Sequence, residues 1–283
     1  MKMRPIAVLP ALVTLGNAVC GFLSIAIVAK SPSVATPEGL VPFIVAGYLI
    51  YLAMIFDGLD GRVARFARVT SDFGGQLDSL SDAISFGVAP AVLAYRMFFD
   101  IVPNNAIADH PFPFQRIAMA FGAAYAGCAL LRLARFNVEN VHDEEAHLSF
   151  RGLPSPAAAG AVTSLCILIL YLWRDQEYPA LANGLLWAMP LVLLATGLLM
   201  VSTVRYVHLV NQLIRGRRPL SYVVQIIFCV VLLLLLHEKA FALLFVAYAL
   251  SGPVLLVYRK LTRAGRAAEV RPAQRPGDPP EKI

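Results

Sequence analysis

Five acidic residues fall between positions 57 and 82, and four of them share one pattern. The window reads Asp57-Gly-Leu-Asp60-Gly61-Arg-Val-Ala64-Arg65, then eight residues, then Gly74-Gly-Gln-Leu-Asp78-Ser-Leu-Ser-Asp82. Positions 57, 60, 61, 64 and 65 are spaced i, i+3, i+4, i+7 and i+8, which is one face of a helix. Positions 74, 78 and 82 repeat every four residues on the next helix, again on one face. A short connection makes the two helices antiparallel neighbours, so Asp57, Asp60, Asp78 and Asp82 converge on one point. Four carboxylates facing one another cannot all ionise without counter-charge, so either some are protonated or cations sit among them. Hard oxygen donors with no His or Cys nearby select Mg²⁺, Mn²⁺ or Ca²⁺ over zinc. Two such cations sharing carboxylates suit an in-line displacement at phosphorus. Gly61, Ala64 and Gly74 leave room on the acidic faces for a bulky ligand or for close helix packing. Arg65 is placed to offer a bidentate fork to phosphate oxygens, and Ser71 in the connection can add a hydroxyl contact. Asp72 is out of phase with both faces and is expected to be a solvated loop acid.

The elements that must position this cluster are membrane spans. Of 283 residues, 58% are hydrophobic and 15% charged, against about 25% charged in a typical soluble domain. That deficit excludes a disordered chain, a nucleic-acid-binding domain and an ordinary soluble enzyme. Apolar runs predict eight spans, at roughly 10–29, 40–57, 76–98, 116–135, 156–173, 180–203, 221–236 and 240–258. The third opens with Gln76-Leu-Asp-Ser-Leu-Ser-Asp-Ala-Ile-Ser85, too polar to face lipid, so that half must face a protein-lined cavity or water. Lys2 and Arg4 before an apolar run imitate a secretory signal. Val19 before Cys20 and Asn17 within the run argue instead for a retained first span. Cys20, Cys128, Cys166 and Cys229 stand singly in apolar runs and form no disulfide or metal framework. In the eight-span layout only Lys30, Arg96, Arg116, Arg174 and Lys239, of 24 Lys and Arg, fall on one side. The positive-inside bias therefore places both termini in the cytoplasm, with the carboxylate cluster at the cytoplasmic face of the cell membrane. After Tyr258 the chain turns to Arg, Pro, Ala and Gly, and residues 259–283 are expected to be a disordered tail.

The acidic window resembles the CDP-alcohol phosphotransferases, whose signature is D-x2-D-G-x2-A-R-x8-G-x3-D-x3-D; every fixed position is present. The resemblance implies attack on the diphosphate of a CDP-linked lipid or CDP-alcohol, expulsion of CMP and formation of a phosphodiester. It implies one metal on Asp57, Asp60 and Asp78 and a second on Asp57, Asp78 and Asp82, with Mg²⁺ or Mn²⁺ as the cations. Asp82 would also be the general base for the acceptor hydroxyl, and Asp57, Gly61, Arg65 and Ser71 would contact the CDP moiety. It further implies a six-helix core, here residues 1–203, so that residues 204–258, a cytoplasmic loop and two helices, are an addition. A homodimer is implied on the same ground.

Three more segments are similar to the membrane-integral phosphatidylserine synthases of that family: Thr14-Leu-Gly-Asn17-Ala-Val-Cys20-Gly21, Leu131-Arg132-Leu-Ala-Arg135-Phe136-Asn137, and Phe150-Arg-Gly152-Leu153-Pro154-Ser-Pro156. The similarity implies CDP-diacylglycerol and L-serine as substrates. Arg132 and Arg135, i and i+3 at one end of span four, can bind the serine carboxylate or the lipid phosphate, with Asn137 available to the amino group. They equally fit positive-inside anchors snorkelling to headgroups. Asn17 can touch the nucleotide or hydrogen-bond a neighbouring helix. Gly152-Leu-Pro154 is expected to shape the entry into span five, and Arg215, Arg217 and Arg218 to anchor topology. Two rivals stay open: the same chemistry with another acceptor (glycerol 3-phosphate, an inositol phosphate) or an ether-lipid donor, and a cation transporter using intramembrane carboxylates. Against the transporter, no span beyond the third carries an interior Asp or Glu.

Overall fold

Runs of Leu, Ile, Val and Ala that leave water must satisfy every backbone N–H and C=O internally, and this chain does so with helices. The computed structural model describes residues 8–34, 36–67, 72–102, 112–139, 150–175, 178–206 and 237–269. In chain order they form α1 (Val8–Lys30), α2 (Pro37–Ala67), α3 (Asp72–Asp82), a π-helical segment (Ala83–Val88) and α4 (Ala89–Ile101). There follow α5 (Phe112–Glu139), β1 (Phe150–Arg151), α6 (Ser155–Asp175), α7 (Pro179–Val201), β2 (Arg205–Tyr206) and α8 (His237–Glu269).

Among the described residues, seven stretches are long and apolar enough to cross a bilayer: Pro10–Lys30, Glu38–Asp60, Phe73–Ile101, Phe114–Val138, Ser155–Asp175, Pro179–Val201 and Lys239–Tyr258. The chain is an integral membrane protein of helical class. Seven of the eight expected spans are thus matched; the other, residues 221–236, lies outside the described residues, as do Arg215, Arg217 and Arg218. Two findings depart from expectation. Among the described residues the helical fold carries one short ladder, in which Phe150 pairs with Tyr206 and Arg151 with Arg205, antiparallel. And α8 continues to Glu269, so residues 259–269, expected to open a disordered tail, are helical. Leu, Ala, Arg and Lys there are strong helix formers and extend a helix already nucleated in the membrane.

The third span is not a continuous α-helix. Pro90 has no N–H to offer the carbonyl of Phe86 four residues earlier, and the backbone widens into the π segment just before it. The Phe86 carbonyl instead accepts a hydrogen bond from the Tyr125 hydroxyl of α5 at 2.9 Å. Helix α1 lies directly against this segment: a Cβ at Gly21 would sit 2.7 Å from the Ser85 Cα, so only glycine allows the approach.

Helix α6 is the central post, its membrane window 78% buried. Its Ala-Ala-Ala-Gly-Ala opening supplies small side chains that let neighbours come close. Ahead of it, Gly152 adopts φ +86, where a Cβ would strike the Met200 carbonyl. The Gly152 N–H donates to the Val204 carbonyl at 2.8 Å and the Leu153 N–H to the Leu199 carbonyl at 2.9 Å. The Gly-Leu-Pro segment therefore shapes the entry into α6, as expected, by tying it to the end of α7. At the far end of the third span, Asp100 pairs with Arg96 and accepts the Val34 N–H at 3.0 Å, which closes the α1–α2 connection onto α4.

Candidate active site

Helices α2 and α3 carry the acids to one place. Ligand oxygens of Asp57, Asp60 and Asp78 all lie within 4.8 Å of one another. Asp60 is buried, and Asp57 and Asp78 are half-buried. The in-phase spacing on both helices is what brings them together, since a one-residue slip would turn a carboxylate about 100° away from the others. Oδ1 of Asp78 is buried with no hydrogen-bond donor, an arrangement that a bound cation would satisfy and an apolar neighbour would not. The donor set is all carboxylate oxygen, which suits a hard divalent ion.

Asp82 stands one turn beyond Asp78, 8% exposed, within electrostatic reach of the other three acids. It is held from α1: the Asn17 Nδ2 donates to Asp82 Oδ1 at 3.0 Å. Asn17 is fully buried, and its backbone carbonyl accepts the Ser85 hydroxyl at 2.8 Å. Of the two roles open to Asn17 from sequence, the hydrogen bond to a neighbouring helix is present, and its target is an acid of the signature.

The basic side of the site comes from α5. The Arg132 Nη1 donates to the Ser155 Oγ at the start of α6, at 3.0 Å. Asp82 and Tyr248 both lie within electrostatic reach of the Arg132 guanidinium. Asn137, further along α5, accepts the Ser79 hydroxyl at 2.9 Å, which ties α5 to the acidic helix α3. Arg135 is half-buried on the same helix. The structure thus brings Asn17, Arg132 and Asn137 to the acidic helix α3 or to its acids. Gly61 and Arg65 continue α2, but the surroundings of Gly61 and the Arg65 side chain, like all of Ser71, lie outside what is described. Asp72, expected in the loop, is the first residue of α3.

Sequence reasoning missed Ser79, Ser155 and Tyr248. Ser79 and Ser155 adjoin residues already singled out, Asp78 and Pro154, and that adjacency was the available signal. Tyr248 had none, since the last span was legible only by its hydropathy.

Arranged this way, the site offers clustered carboxylates for divalent cations, one separately oriented carboxylate that can take a proton, and a guanidinium a short distance away for an anion. The family model described as CDP-alcohol phosphatidyltransferase matches residues 7–191. A Helicobacter pylori (strain ATCC 700392 / 26695) protein named CDP-diacylglycerol–serine O-phosphatidyltransferase is 36% identical over 207 residues, covering 73% of this chain and 74% of its own. A protein of the same name from Methanocaldococcus jannaschii is 39% identical over 165 residues, 58% of this chain and 65% of its own. The archaetidylserine synthase of Methanothermobacter thermautotrophicus is 33% identical over 207 residues, 72% of each chain.

Proposed function

Because the chain belongs to the CDP-alcohol phosphatidyltransferase family, we propose that it transfers the phosphatidyl group of CDP-diacylglycerol to the hydroxyl of L-serine, releasing CMP and forming phosphatidylserine. The observation that carries this reading is the convergence of Asp57, Asp60 and Asp78 beside an Asp82 held separately by Asn17. The relatives named for serine as acceptor favour that alcohol over glycerol 3-phosphate or an inositol phosphate. A further relative is named archaetidylserine synthase, and an ether-lipid donor is the variant reading of the same chemistry.

Asp57, Asp60 and Asp78 would hold one divalent cation and Asp57, Asp78 and Asp82 a second. Mg²⁺ or Mn²⁺ held there would supply positive charge for the phosphate oxygens and for the departing CMP. The remaining work belongs to the side chains. Asn17 grips Asp82 by Oδ1, so the carboxylate is oriented and its second oxygen can take the serine hydroxyl proton. The serine oxygen then bonds to the lipid-side phosphorus as the bond from that phosphorus to the CMP oxygen breaks. Arg132, with Arg135 nearby, supplies positive charge for the serine carboxylate or the lipid phosphate, and Asn137 a polar contact for the amino group. Gly61 would let the nucleotide lie close to α2, and Asn17, Arg65 and Ser71 would contact the CDP moiety.

The same reading assigns residues 1–203 to a six-helix core and 204–258 to an addition, with eight spans in all. Both termini and the carboxylate cluster face the cytoplasm, so CMP leaves into water while the acyl chains stay in the cell membrane. Two such chains form a homodimer. The test is CMP release from CDP-diacylglycerol by the purified protein with serine, glycerol 3-phosphate or inositol offered in turn. Release with serine alone is expected. Release only with another alcohol would overturn the acceptor, and no release with any of them would favour cation transport.

A further inference from the structure

Tyr125, Ala129 and Arg132 of α5 are spaced i, i+4 and i+7, one stripe of the helix, and that stripe faces the third span. The Tyr125 hydroxyl reaches the Phe86 carbonyl at 2.9 Å, and a Cβ at Gly87 would lie 3.3 Å from the Ala129 Cβ. Further along α5, Asn137 accepts the Ser79 hydroxyl at 2.9 Å. Helix α5 is thus pinned antiparallel to the third span, at Phe86 and Gly87 towards one end and at Ser79 towards the other. Arg132 lies between these pins on α5, and Asp82 lies between them on the third span.

The Arg132 Nη1 donates to the Ser155 Oγ at 3.0 Å. Ser155 is 1% exposed and opens α6, where the backbone is held from several sides. The N–H groups of Gly152 and Leu153 bind the Val204 and Leu199 carbonyls, which ties the segment ahead of Ser155 to the end of α7. The Ala158 N–H closes the first turn of α6 on the Pro154 carbonyl at 2.9 Å. Phe245 of α8 covers Gly160, where any Cβ would collide with its ring. Helix α8 is tied down in turn by the Tyr206 hydroxyl of β2, which donates to the Ala249 carbonyl at 2.9 Å. The Ser155 hydroxyl is therefore a rigid acceptor for a long, flexible side chain. It is also neutral. A hydroxyl orients a guanidinium without cancelling its charge, as a carboxylate in the same place would.

We propose that Ser155 is a positioning residue for the acceptor: its hydroxyl holds the Arg132 guanidinium between α5 and the third span, where the carboxylate of the acceptor meets it. This rests on the reaction proposed above, in which the acceptor hydroxyl is delivered to Asp82. Ser155→Ala removes one oxygen. It should raise the KM for serine about tenfold, the effect of losing one hydrogen bond to a charged group, with kcat and the KM for CDP-diacylglycerol within about twofold. Ser155→Cys keeps the volume but accepts hydrogen bonds weakly, so it should shift the same KM and serves if the alanine variant does not fold. Ser155→Thr keeps the hydroxyl and should bring the KM for serine back to within about threefold of the unaltered protein. An unchanged KM for serine in the alanine and cysteine variants would overturn the proposal. Equal shifts in the KM values of both substrates, or a threonine variant no better than alanine, would reveal a merely structural role and overturn it too. A rise in the KM for CDP-diacylglycerol alone would assign Arg132 to the lipid phosphate instead. If the unaltered protein uses another alcohol in place of serine, the reaction proposed above is wrong, and Ser155 is judged by the same criterion on the KM for that alcohol. Turnover with no alcohol at all would overturn both.

Discussion

The Asn17 amide of α1 donates to Oδ1 of Asp82 at 3.0 Å, across 65 residues of chain. Both groups are buried at the one point where α1, α3 and the π segment meet, because Gly21 admits Ser85 and the Ser85 hydroxyl in turn holds the Asn17 backbone carbonyl. The bond separates Asp82 from the other acids by role: three carboxylates face one another, and the fourth is oriented by a neutral donor.

Asn17→Ala should therefore leave Asp82 in place but unoriented. A buried hydrogen bond to a charged group contributes about 1.5–3 kcal/mol, so kcat with serine should fall roughly 10–100-fold. Steady-state kinetics in detergent or proteoliposomes measures it. An unaltered kcat would detach Asn17 from the function of Asp82.

Removal of divalent cations should stop turnover, and Mg²⁺ or Mn²⁺ should restore it better than zinc, which favours nitrogen and sulfur donors. Asp78→Asn removes a carboxylate from the cluster and should raise the cation concentration needed for half-maximal activity by at least about tenfold, the lower end of what even indirect ligand partners contribute. Activity indifferent to chelators would contradict the assignment of the cluster.

Much of this site was legible from spacing alone. The residues 57, 60, 78 and 82 announced two helical faces because acids are scarce in an apolar chain, and a repeat of three and four residues has one structural meaning. Asn17 announced itself as a polar group in an apolar run, but its partner did not, since a contact across 65 residues depends on how two helices cross. The π segment was hidden for a similar reason. Pro90 signals a disturbed helix, yet whether the backbone kinks, breaks or widens depends on whether a donor such as Tyr125 reaches the Phe86 carbonyl. Tyr248 was invisible because every rotation of a uniformly apolar span looks alike until Gly160 and Tyr206 fix one. The helical turns past Tyr258 were missed because proline and charge further on coloured the reading of residues that are themselves good helix formers.

Two substitutions test the scaffold without touching the acids. Tyr125→Phe leaves the Phe86 carbonyl without its donor inside the membrane, a loss of about 1–3 kcal/mol. Gly152→Ala forces a side chain into φ +86 against the Met200 carbonyl, and positions of that kind cost about 1–3 kcal/mol. Both variants should show a lower Tm in detergent. Unchanged unfolding in either would mean that the local geometry is more forgiving than described.

The orientation is open to direct labelling. A membrane-impermeant maleimide applied to intact cells should modify Lys239→Cys, and should reach Ile283→Cys only after permeabilisation. Labelling of both from outside would overturn the shared cytoplasmic placement of the termini and the eight-span count.

The central claim, that Asp82 takes the acceptor proton beside a carboxylate-bound cation cluster, is tested most directly by Asp82→Asn in the serine-dependent assay. Asparagine keeps the shape of the side chain and cannot accept the proton. Phosphatidylserine formation and CMP release should fall together by about 10²–10⁴-fold, the range for loss of a positioned general base, while the variant stays folded and still binds CDP-diacylglycerol. Turnover near that of the unaltered protein would contradict the account.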